Sequence, residues 1–183
     1  MFGHKLEKYA LKLLKTGFSL QKIIVISPVP QVVLVNPQIP PNTGNIARTC
    51  AATRTPLHLV GPLGFEMSDR YLKRAGLDYW QYVNWTLHES IEKFRSQSRR
   101  QSGRWIGFST RGHCNHTQFR FHADDWLLFG SETEGLSQET LAECEETVYI
   151  PMFEPGVRSL NLSVSAALGL FECLRQVGKL QQQ

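Results

Sequence analysis

Six short apolar runs, separated by polar or helical stretches, constrain the fold more than any other feature of this chain. Each run has only three or four residues, which suits a buried strand and is too short for a helix. Runs that alternate with helical patterns predict parallel strands, because a parallel pair needs a long crossover connection. They are Val32–Val35, Leu57–Val60, Tyr82–Trp85, Trp105–Phe108, Trp126–Phe129 and Val148–Ile150. The sequence therefore predicts an α/β fold with a mostly parallel sheet flanked by helices.

Helical stretches are expected between most of these runs. They cover roughly Thr43–Thr53, Ser68–Ala75, Glu89–Ser96 and Gln138–Cys144, with a long final helix over Leu162–Val177. Thr86 followed by Glu89 fits the S/T-x-x-E capping box, which predicts the start of the third helix. Asn42 and Thr43 stand at the start of the first helix, where their side chains can cap free amides.

The first 31 residues stand apart from this pattern. Residues 4–16 place apolar side chains at helical spacing among four lysines, and Gly17 follows as a stop signal. This predicts a short basic amphipathic helix. We interpret it as an extra surface helix, or as translated sequence before the working start. A targeting peptide is disfavoured because arginine is absent and serine scarce.

Composition narrows the class of protein. The chain has 183 residues, of which 42% are hydrophobic and 10% aromatic, and this predicts one folded domain rather than disorder. The formal net charge of +4 favours a polyanionic partner without establishing one. Four separate cysteines without a C-x-x-C pair predict reduced thiols in the cytoplasm. No apolar run reaches the roughly 18 residues of a membrane span, so we expect a soluble protein with no membrane partner.

Three polar blocks follow the ends of predicted strands. The first is Pro41–Arg48, the second is Leu128–Leu136, and the third runs from Ile150–Met152 to Arg158–Ser163. In open α/β sheets, ligands bind at the carboxyl ends of the strands. The three blocks therefore predict one composite site at that edge of the sheet.

In this order and spacing, the three blocks resemble the signature motifs of the SPOUT RNA methyltransferases, in their 2′-O-ribose branch. A further segment, Lys73–Trp80 with the sequence KRAGLDYW, is similar to the small members that methylate the wobble nucleotide of tRNA. The match runs from about Val32 to Val177. Each block alone is a weak pattern, but together and in order they are specific.

The resemblance implies an architecture as well as an activity. It implies a C-terminal trefoil knot, an extension over residues 1–31 and a SPOUT methyltransferase domain over residues 32–183. It implies a homodimer with the final helix in the interface, and the tRNA anticodon stem-loop as partner. The reaction implied is methyl transfer from S-adenosyl-L-methionine to the 2′-hydroxyl of the wobble nucleotide, cytidine or modified uridine, without a metal.

The cofactor site implied by the resemblance consists mainly of backbone in loops. The chain lacks G-x-G-x-x-G and the P-loop pattern, so the common nucleotide cradles are absent from the sequence. Glycine-containing loops beyond strands can bring bare amides and carbonyls close to an adenosine, although by themselves such glycines would indicate only turns. The matching cofactor residues are Phe108, Ser109, Gly130, Ile150, Ser159 and Leu160.

The catalytic residues implied by the resemblance are Arg48, Asn42, Glu132, Ser159 and Asn161. Arg48 matches the residue that activates the ribose hydroxyl. A guanidinium is essentially always protonated, so we expect it to stabilise the developing alkoxide and grip a phosphate rather than to act as a base. Glu132 is expected to orient Asn42 or Arg48. Asn161 and Ser159 are expected to line the site and to cap the last helix.

Other interpretations remain open at this stage. Glu132 and Glu134 lie too close on one loop to flank a glycoside. In the family the position of Glu134 is commonly basic and those of Ser131 and Ser137 are commonly proline, so these departures bear on the RNA contact. A catalytically silent RNA-binding protein of this fold, or an enzyme for another tRNA or rRNA position, are the functional alternatives.

Two further segments can be interpreted either as solvated loops or as functional sites. The polar stretch Ser96–Gly103 predicts a solvated loop, with contact to RNA through nearby arginines as the alternative. A histidine-rich segment invites a zinc site, but its spacing is not that of a structural zinc site and a solvated loop is favoured. The residues concerned are Arg99, Arg100 and Arg104 in the first case and His113, Cys114, His116 and His122 in the second.

Overall fold

A computed structural model describes residues 28–67, 79–99 and 101–180. The helices expected over residues 4–16 and 68–75 lie outside the described residues, as do Arg100 and most of the KRAGLDYW segment. The strands are β1 Gln31–Val35, β2 Leu57–Val60, β3 Trp85–His88, β4 Trp105–Phe108, β5 Cys114–Asn115, β6 Trp126–Phe129 and β7 Glu146–Tyr149. The α-helices are α1 Pro40–Thr53, α2 Ile91–Ser98, α3 Gln138–Ala142 and α4 Leu162–Gln176, and a 3₁₀ turn spans Trp80–Tyr82.

The strands form one sheet in the order β3-β2-β1-β6-β4-β7-β5. Every pairing between the described strands is parallel. In the centre, Val33 of β1 aligns with His58 of β2 on one side and with Leu128 of β6 on the other. The carboxyl ends of β1, β4, β6 and β7 therefore meet at one edge, as the alternating pattern predicted.

Two helical layers cover the sheet because successive side chains of a strand point to opposite faces. Val32 and Leu34 join a core cluster that includes residues of α1 and α4, whereas Val33 and Val35 join one that contains Phe94 of α2. α4 approaches the sheet closely at Gly169, where an added Cβ would lie 2.5 Å from the Phe108 ring. This close contact holds α4 over the carboxyl ends of β4 and β6.

The expected strand over residues 82–85 is wrong. The chain makes a 3₁₀ turn over Trp80–Tyr82, and β3 runs instead from Trp85 to His88. β3 is an edge strand with Thr86 and Leu87 exposed, so it lacks the continuous apolar signal of the central strands.

The expected capping box at Thr86 is also wrong. Thr86 lies within β3, and Ser90 caps α2 by accepting a hydrogen bond from the Lys93 N–H at 3.4 Å. α2 then continues to Ser98, which is buried, so the first part of the stretch 96–103 is helical and not loop.

Arg104, weighed as an RNA contact, is engaged in the fold. Its guanidinium donates to both carboxylate oxygens of Asp125 at 2.9 and 2.8 Å, and Asp125 is fully buried. The Asp125 side chain also accepts from the His122 N–H at 2.7 Å. A buried carboxylate needs such a partner, so this pair is structural.

The histidine-rich segment is not simply a solvated loop, which corrects the expectation. Cys114–Asn115 forms the short strand β5 against β7, with Cys114 opposite Val148. His116 is buried, and its N–H donates to the Tyr149 carbonyl at 3.0 Å. A strand of two residues gives no periodic signal, which is why the pattern did not predict it.

The remaining boundaries differ from expectation by a few residues. β7 begins at Glu146 and ends at Tyr149, α3 ends at Ala142 and α4 ends at Gln176. All four cysteines are unpaired, and burial raises the pKa of the Cys50 thiol to about 12. Within the described part of the chain, no helix is long and apolar enough to span a bilayer.

A buried histidine pair lies on the face of the sheet that α2 covers. His58 Nδ1 lies 2.9 Å from His88 Nε2, and His58 Nε2 lies 2.8 Å from the Gln31 side-chain oxygen. The rings of Phe94 and Trp126 surround His58 at 6.1 and 4.9 Å between centroids. Burial, followed by the nearby His88, lowers the pKa of His58 to about 4, and burial also lowers the pKa of His88.

This pair predicts acid sensitivity of the fold. Between pH 6.5 and 4 the unfolded chain binds a proton at His58 that the folded chain does not, so stability falls as pH falls. We expect His58 alone to remove about 2 kcal/mol between pH 7 and 5, and His88 to act in the same direction. Urea unfolding at several pH values measures this. The slope between pH 7 and 5 should flatten in His58→Asn and persist in the exposed-site control His122→Asn, and an unchanged slope in both would contradict the assignment.

Candidate active site

The second block forms a tight turn at the end of β6. Ser131 and Gly135 pair in an antiparallel bridge, and Gly135 has a φ of +70°, a left-handed conformation that favours glycine. An added Cβ at Gly130 would lie 1.9 Å from the Gly135 carbonyl carbon. Gly130 is thus required by the chain's own close approach, and the turn places Glu132 beside the start of α1.

Glu132 holds the start of α1 from outside the helix. Its carboxylate accepts hydrogen bonds from the Gln38 N–H at 2.8 Å, the Ile39 N–H at 3.2 Å and the Asn42 side-chain amide at 2.9 Å. The N-cap residue of α1 is Ile39, which offers no side-chain cap. An acidic group at a helix N-terminus also interacts favourably with the helix dipole. Glu132 therefore anchors the residues that lead into α1, since its two backbone partners precede the first helical residue.

The expectation that Asn42 and Thr43 cap this helix is wrong. α1 begins at Pro40, because proline suits the first helical position, and both residues lie inside the first turn. Asn42 is 6% exposed and Thr43 is fully buried. The Asn42 side chain is therefore directed into the junction with other parts of the chain.

A chain of amide hydrogen bonds joins all three blocks. Asn161 donates from Nδ2 to Asn42 Oδ1 at 3.0 Å, and its own Oδ1 accepts from the Ser163 N–H at 2.8 Å. Because a carboxylate only accepts, Glu132 forces Asn42 to turn its NH₂ group toward it and its carbonyl toward Asn161. Asn161 in turn must direct its oxygen at the first turn of α4. The expected contact between Glu132 and Asn42 and the expected N-cap role of Asn161 are confirmed. The capping role expected of Ser159 is wrong, because the N-cap position belongs to Asn161.

Arg48 lies on a different side of α1 from Asn42. Arg48 is exposed, more than two turns from Pro40 rather than the expected one and a half, and six residues from Asn42. Six residues correspond to about 240° around the helix axis. Its guanidinium lies over the Tyr79 ring, with 4.7 Å between Cζ and the ring centroid. The buried Asn42 and the exposed Arg48 therefore leave the same helix in different directions.

The expected cofactor residues gather at the same edge, at the ends of β4, β6 and β7. The Phe108 ring is buried and stacks on Phe129 at 4.5 Å between centroids, so only its backbone can reach a ligand. The Ser109 N–H donates to the Val148 carbonyl at 3.0 Å. Ile150 and Leu160 are half-buried, and Ser159 is exposed.

The loop from Ile150 to Leu160 keeps most of its backbone donors free. Within the described residues, only Gly156 and Val157 in this loop donate backbone hydrogen bonds, and both bond to Glu154. Free amides beside half-buried apolar side chains suit the acceptor nitrogens and flat faces of an adenine. The unused N–H groups include those of Ile150, Met152, Ser159 and Leu160.

The residues weighed as zinc ligands do not gather. Among the described residues, only His122 of that set belongs to a group with metal-compatible geometry, together with Asp124 and Asp125. That group lies at the amino end of β6, away from the three blocks, and Asp125 is already bound to Arg104.

Two partners in this site were missed from the sequence. The backbone amides of Gln38 and Ile39 bind Glu132, although neither residue carries a motif. The Pro40–Pro41 pair was the available signal, because proline is favoured at the first helical position and so indicates a helix start before Asn42.

Comparison with known proteins decides the family. Residues 30–171 match the SpoU rRNA Methylase family. The chain belongs to the SpoU methylase family. A Burkholderia ambifaria relative named tRNA (cytidine(34)-2′-O)-methyltransferase is 44% identical over 80% of this chain and 95% of its own. A Synechocystis relative with a provisional assignment to the same activity is 57% identical over 82% of this chain and 98% of its own.

Solved structures of SpoU methylases share the fold. One, described as giving structural insights into the 2-OH methylation of C/U34 on tRNA, has 47% identity and a TM-score of 0.78, and covers 81% of this chain and 96% of that one. The methyltransferase AviRb from Streptomyces viridochromogenes, in complex with AdoMet, has 27% identity and a TM-score of 0.72 over 86% of this chain and 61% of its own.

Proposed function

We propose that the protein transfers the methyl group of S-adenosyl-L-methionine to the ribose 2′-hydroxyl of nucleotide 34, the wobble nucleotide of tRNA, either cytidine or modified uridine. One observation supports this proposal most strongly. Hydrogen bonds from Asn42 to Glu132 and from Asn161 to Asn42 join the three blocks at the carboxyl edge of the sheet. Membership in the SpoU family and the names of the relatives support the reaction and the position. The formal net charge of +4 gives weaker support for an RNA substrate than these observations do.

The loop edge fits the cofactor through its backbone. We assign binding to the free amides of Ile150, Ser159 and Leu160, with main-chain groups of Phe108, Ser109 and Gly130 beside them. When bound, the cofactor supplies an activated methyl group on a sulfonium, so no metal is required. The AdoMet complex of the AviRb relative supports this assignment.

Arg48 is assigned to the reacting oxygen. A guanidinium is a cation that only donates hydrogen bonds, so Arg48 stabilises the negative charge that develops on the 2′-oxygen, and the hydroxyl proton passes to a phosphate oxygen, to water or to a neighbouring group. Its planar fork of N–H donors can also hold the neighbouring phosphate through two bonds. Exposure of Arg48 on α1 leaves it accessible to a large substrate.

Asn161 is assigned to substrate orientation, and Asn42 and Glu132 to holding it. An amide NH₂ group has two hydrogens. Asn42 donates one of its two to Glu132, and Asn161 donates one of its two to Asn42. Asn42 is buried, whereas Asn161 is exposed, so the spare N–H of Asn161 is the one that can reach a ribose or cofactor oxygen. Ser159, two residues earlier and exposed, is assigned to the same site.

We further propose that residues 32–183 form the methyltransferase domain, acting in the cytoplasm on the anticodon stem-loop, and that the C-terminal segment passes through a trefoil knot. Close packing of the loop after β4 against β7 is the local feature that supports this path. An added Cβ at Gly112 would lie 2.4 Å from the Val148 carbonyl carbon, so the loop after β4 runs against β7.

A homodimer through α4 completes the proposal. Val164, Leu168 and Phe171 are between 43% and 47% exposed and lie at positions i, i+4 and i+7, on one side of the helix. Leu180, 43% exposed, lines the same surface depression as Leu168 and Phe171. A second copy of this chain would remove it from water, since a contiguous exposed apolar stripe favours association.

Leu168→Glu is expected to convert the dimer to a monomer, because it places a charge in the centre of this surface. Leu87→Glu is the matched control, since Leu87 is similarly exposed, at 48%, but lies on the edge strand β3. Sedimentation velocity at micromolar concentration measures the outcome. A Leu168→Glu protein that remains dimeric would place the interface elsewhere.

Methyl transfer from cofactor with a deuterated methyl group tests the reaction class. Unmodified tRNA is incubated with the purified protein in the presence of a chelator, and the nucleosides are analysed by mass spectrometry. We expect the label on the ribose of cytidine or uridine. Label on a base would contradict the ribose assignment, and absence of label in a protein that binds both ligands would favour a silent RNA-binding protein.

A further inference from the structure

The contact between Arg48 and Tyr79 connects the first block to a segment with no assigned role in the reaction. The guanidinium carbon lies 4.7 Å from the centroid of the Tyr79 ring, within the range of a cation–π contact. Tyr79 is 43% exposed, so the ring covers one side of the guanidinium at the surface of the molecule.

The backbone that carries Tyr79 is well anchored. The Tyr79 carbonyl accepts from the Tyr82 N–H at 2.9 Å, and the Trp80 carbonyl accepts from the Val83 N–H at 3.1 Å. The Trp80 ring packs on Trp85 at 5.5 Å between centroids, and both tryptophans pack against the main core cluster. The ring of Tyr79 therefore projects from a fixed turn that precedes β3.

We propose that Tyr79 is a positioning residue for Arg48: its ring holds the guanidinium in the orientation that the reaction requires. This inference rests on the proposed function. The N–H donors of a guanidinium lie in its plane, so a ring against its face restricts its orientation without itself occupying a donor. The plane fixed by the ring would then determine how the donors face the 2′-oxygen and the neighbouring phosphate when RNA binds.

Two other roles for Tyr79 make different predictions. If its hydroxyl took part in the reaction, phenylalanine would not replace it. If its ring stacked on a base of the RNA, as exposed aromatic rings do in single-stranded RNA recognition, its loss would weaken tRNA binding whether or not Arg48 is present. A positioning role requires Arg48, because the ring acts only through the guanidinium.

Single-turnover methylation of tRNA by Tyr79→Phe and Tyr79→Leu tests the proposal, each made alone and together with Arg48→Ala. At saturating tRNA and cofactor we expect Tyr79→Phe within twofold of the wild type and Tyr79→Leu slower by about fivefold, the size expected of an exposed cation–π contact. In the Arg48→Ala background, Tyr79→Leu should have no further effect. Tyr82→Leu is the matched control, since Tyr82 lies in the same turn and is 68% exposed.

A spectroscopic measurement tests the contact independently of activity. The side-chain N–H resonance of Arg48, assigned by its loss in Arg48→Ala, should be shifted upfield by the ring in the wild type and in Tyr79→Phe, but not in Tyr79→Leu. A wild type with this shift and no methyl transfer would overturn the proposed function but not the contact. An unshifted resonance, an unchanged rate in Tyr79→Leu, or an equal loss in the Arg48→Ala background would overturn the positioning role.

Discussion

Arg48→Ala slows methyl transfer by about 10²–10³ in our account, the loss that follows removal of one donor from an oxyanion site. Arg48→Lys does not restore the rate, because a point charge cannot reproduce the planar fork that binds oxygen and phosphate together. Single-turnover rates with saturating tRNA give the result. Circular dichroism should show an unchanged fold, since Arg48 is exposed.

The matched control is Arg120→Ala, which removes another exposed arginine, beyond β5. It separates the loss of one positive charge near RNA from the loss of a specific contact. If Arg48→Lys restores near-normal turnover, the bidentate role is excluded and Arg48 acts only as a charge. If Arg120→Ala is as slow as Arg48→Ala, the effect is general electrostatics.

Glu132→Ala disrupts the junction of the three blocks and is expected to cost both activity and stability. It leaves the amides of Gln38 and Ile39 and the Asn42 side chain without their acceptor. Loss of partners at a half-buried site costs about 1–3 kcal/mol of unfolding free energy. With Asn42 and Asn161 no longer held, we expect turnover to fall by on the order of 10²-fold, since a small misplacement of a positioning group has effects of that size.

Glu132→Gln tests the same junction more specifically than Glu132→Ala. It keeps the side-chain size but replaces one acceptor with a donor that faces the Asn42 NH₂ or a backbone amide. Glu134→Gln is the matched control, two residues along the same loop and exposed. Urea unfolding and single-turnover methylation measure the two effects. Equal behaviour of Glu132→Gln and Glu134→Gln would mean that the amide chain has no role in the reaction.

The central strands could be read from the sequence because the two faces of each are buried. The bounds of β2, β4 and β6 match the apolar runs residue for residue, and every residue of these strands is buried. The edge strands β3 and β5 could not be read in this way. β3 has two exposed residues in the middle, and β5 has only two residues, so neither gives a continuous apolar signal.

The residues of the site could be named from the sequence, but their contacts could not. Asn42 and Asn161 are 119 residues apart, and a hydrogen bond across that separation leaves no local periodicity. Glu132 lies 93 residues from Ile39, and α1 starts at Pro40 without a side-chain cap, so no local capping signal marks its start. The position of Arg48 over Tyr79 likewise depends on how the turn before β3 packs against α1.

Methylation of two matched anticodon stem-loops tests most directly whether the 2′-hydroxyl of nucleotide 34 receives the methyl group. Two RNAs of identical sequence are compared, one with ribose throughout and one with a single 2′-deoxyribose at nucleotide 34, using cofactor with a labelled methyl group. The account predicts incorporation of one methyl group per molecule into the first RNA and none into the second. Equal incorporation into both would show that the methyl group goes to another atom or another nucleotide, and would contradict the account.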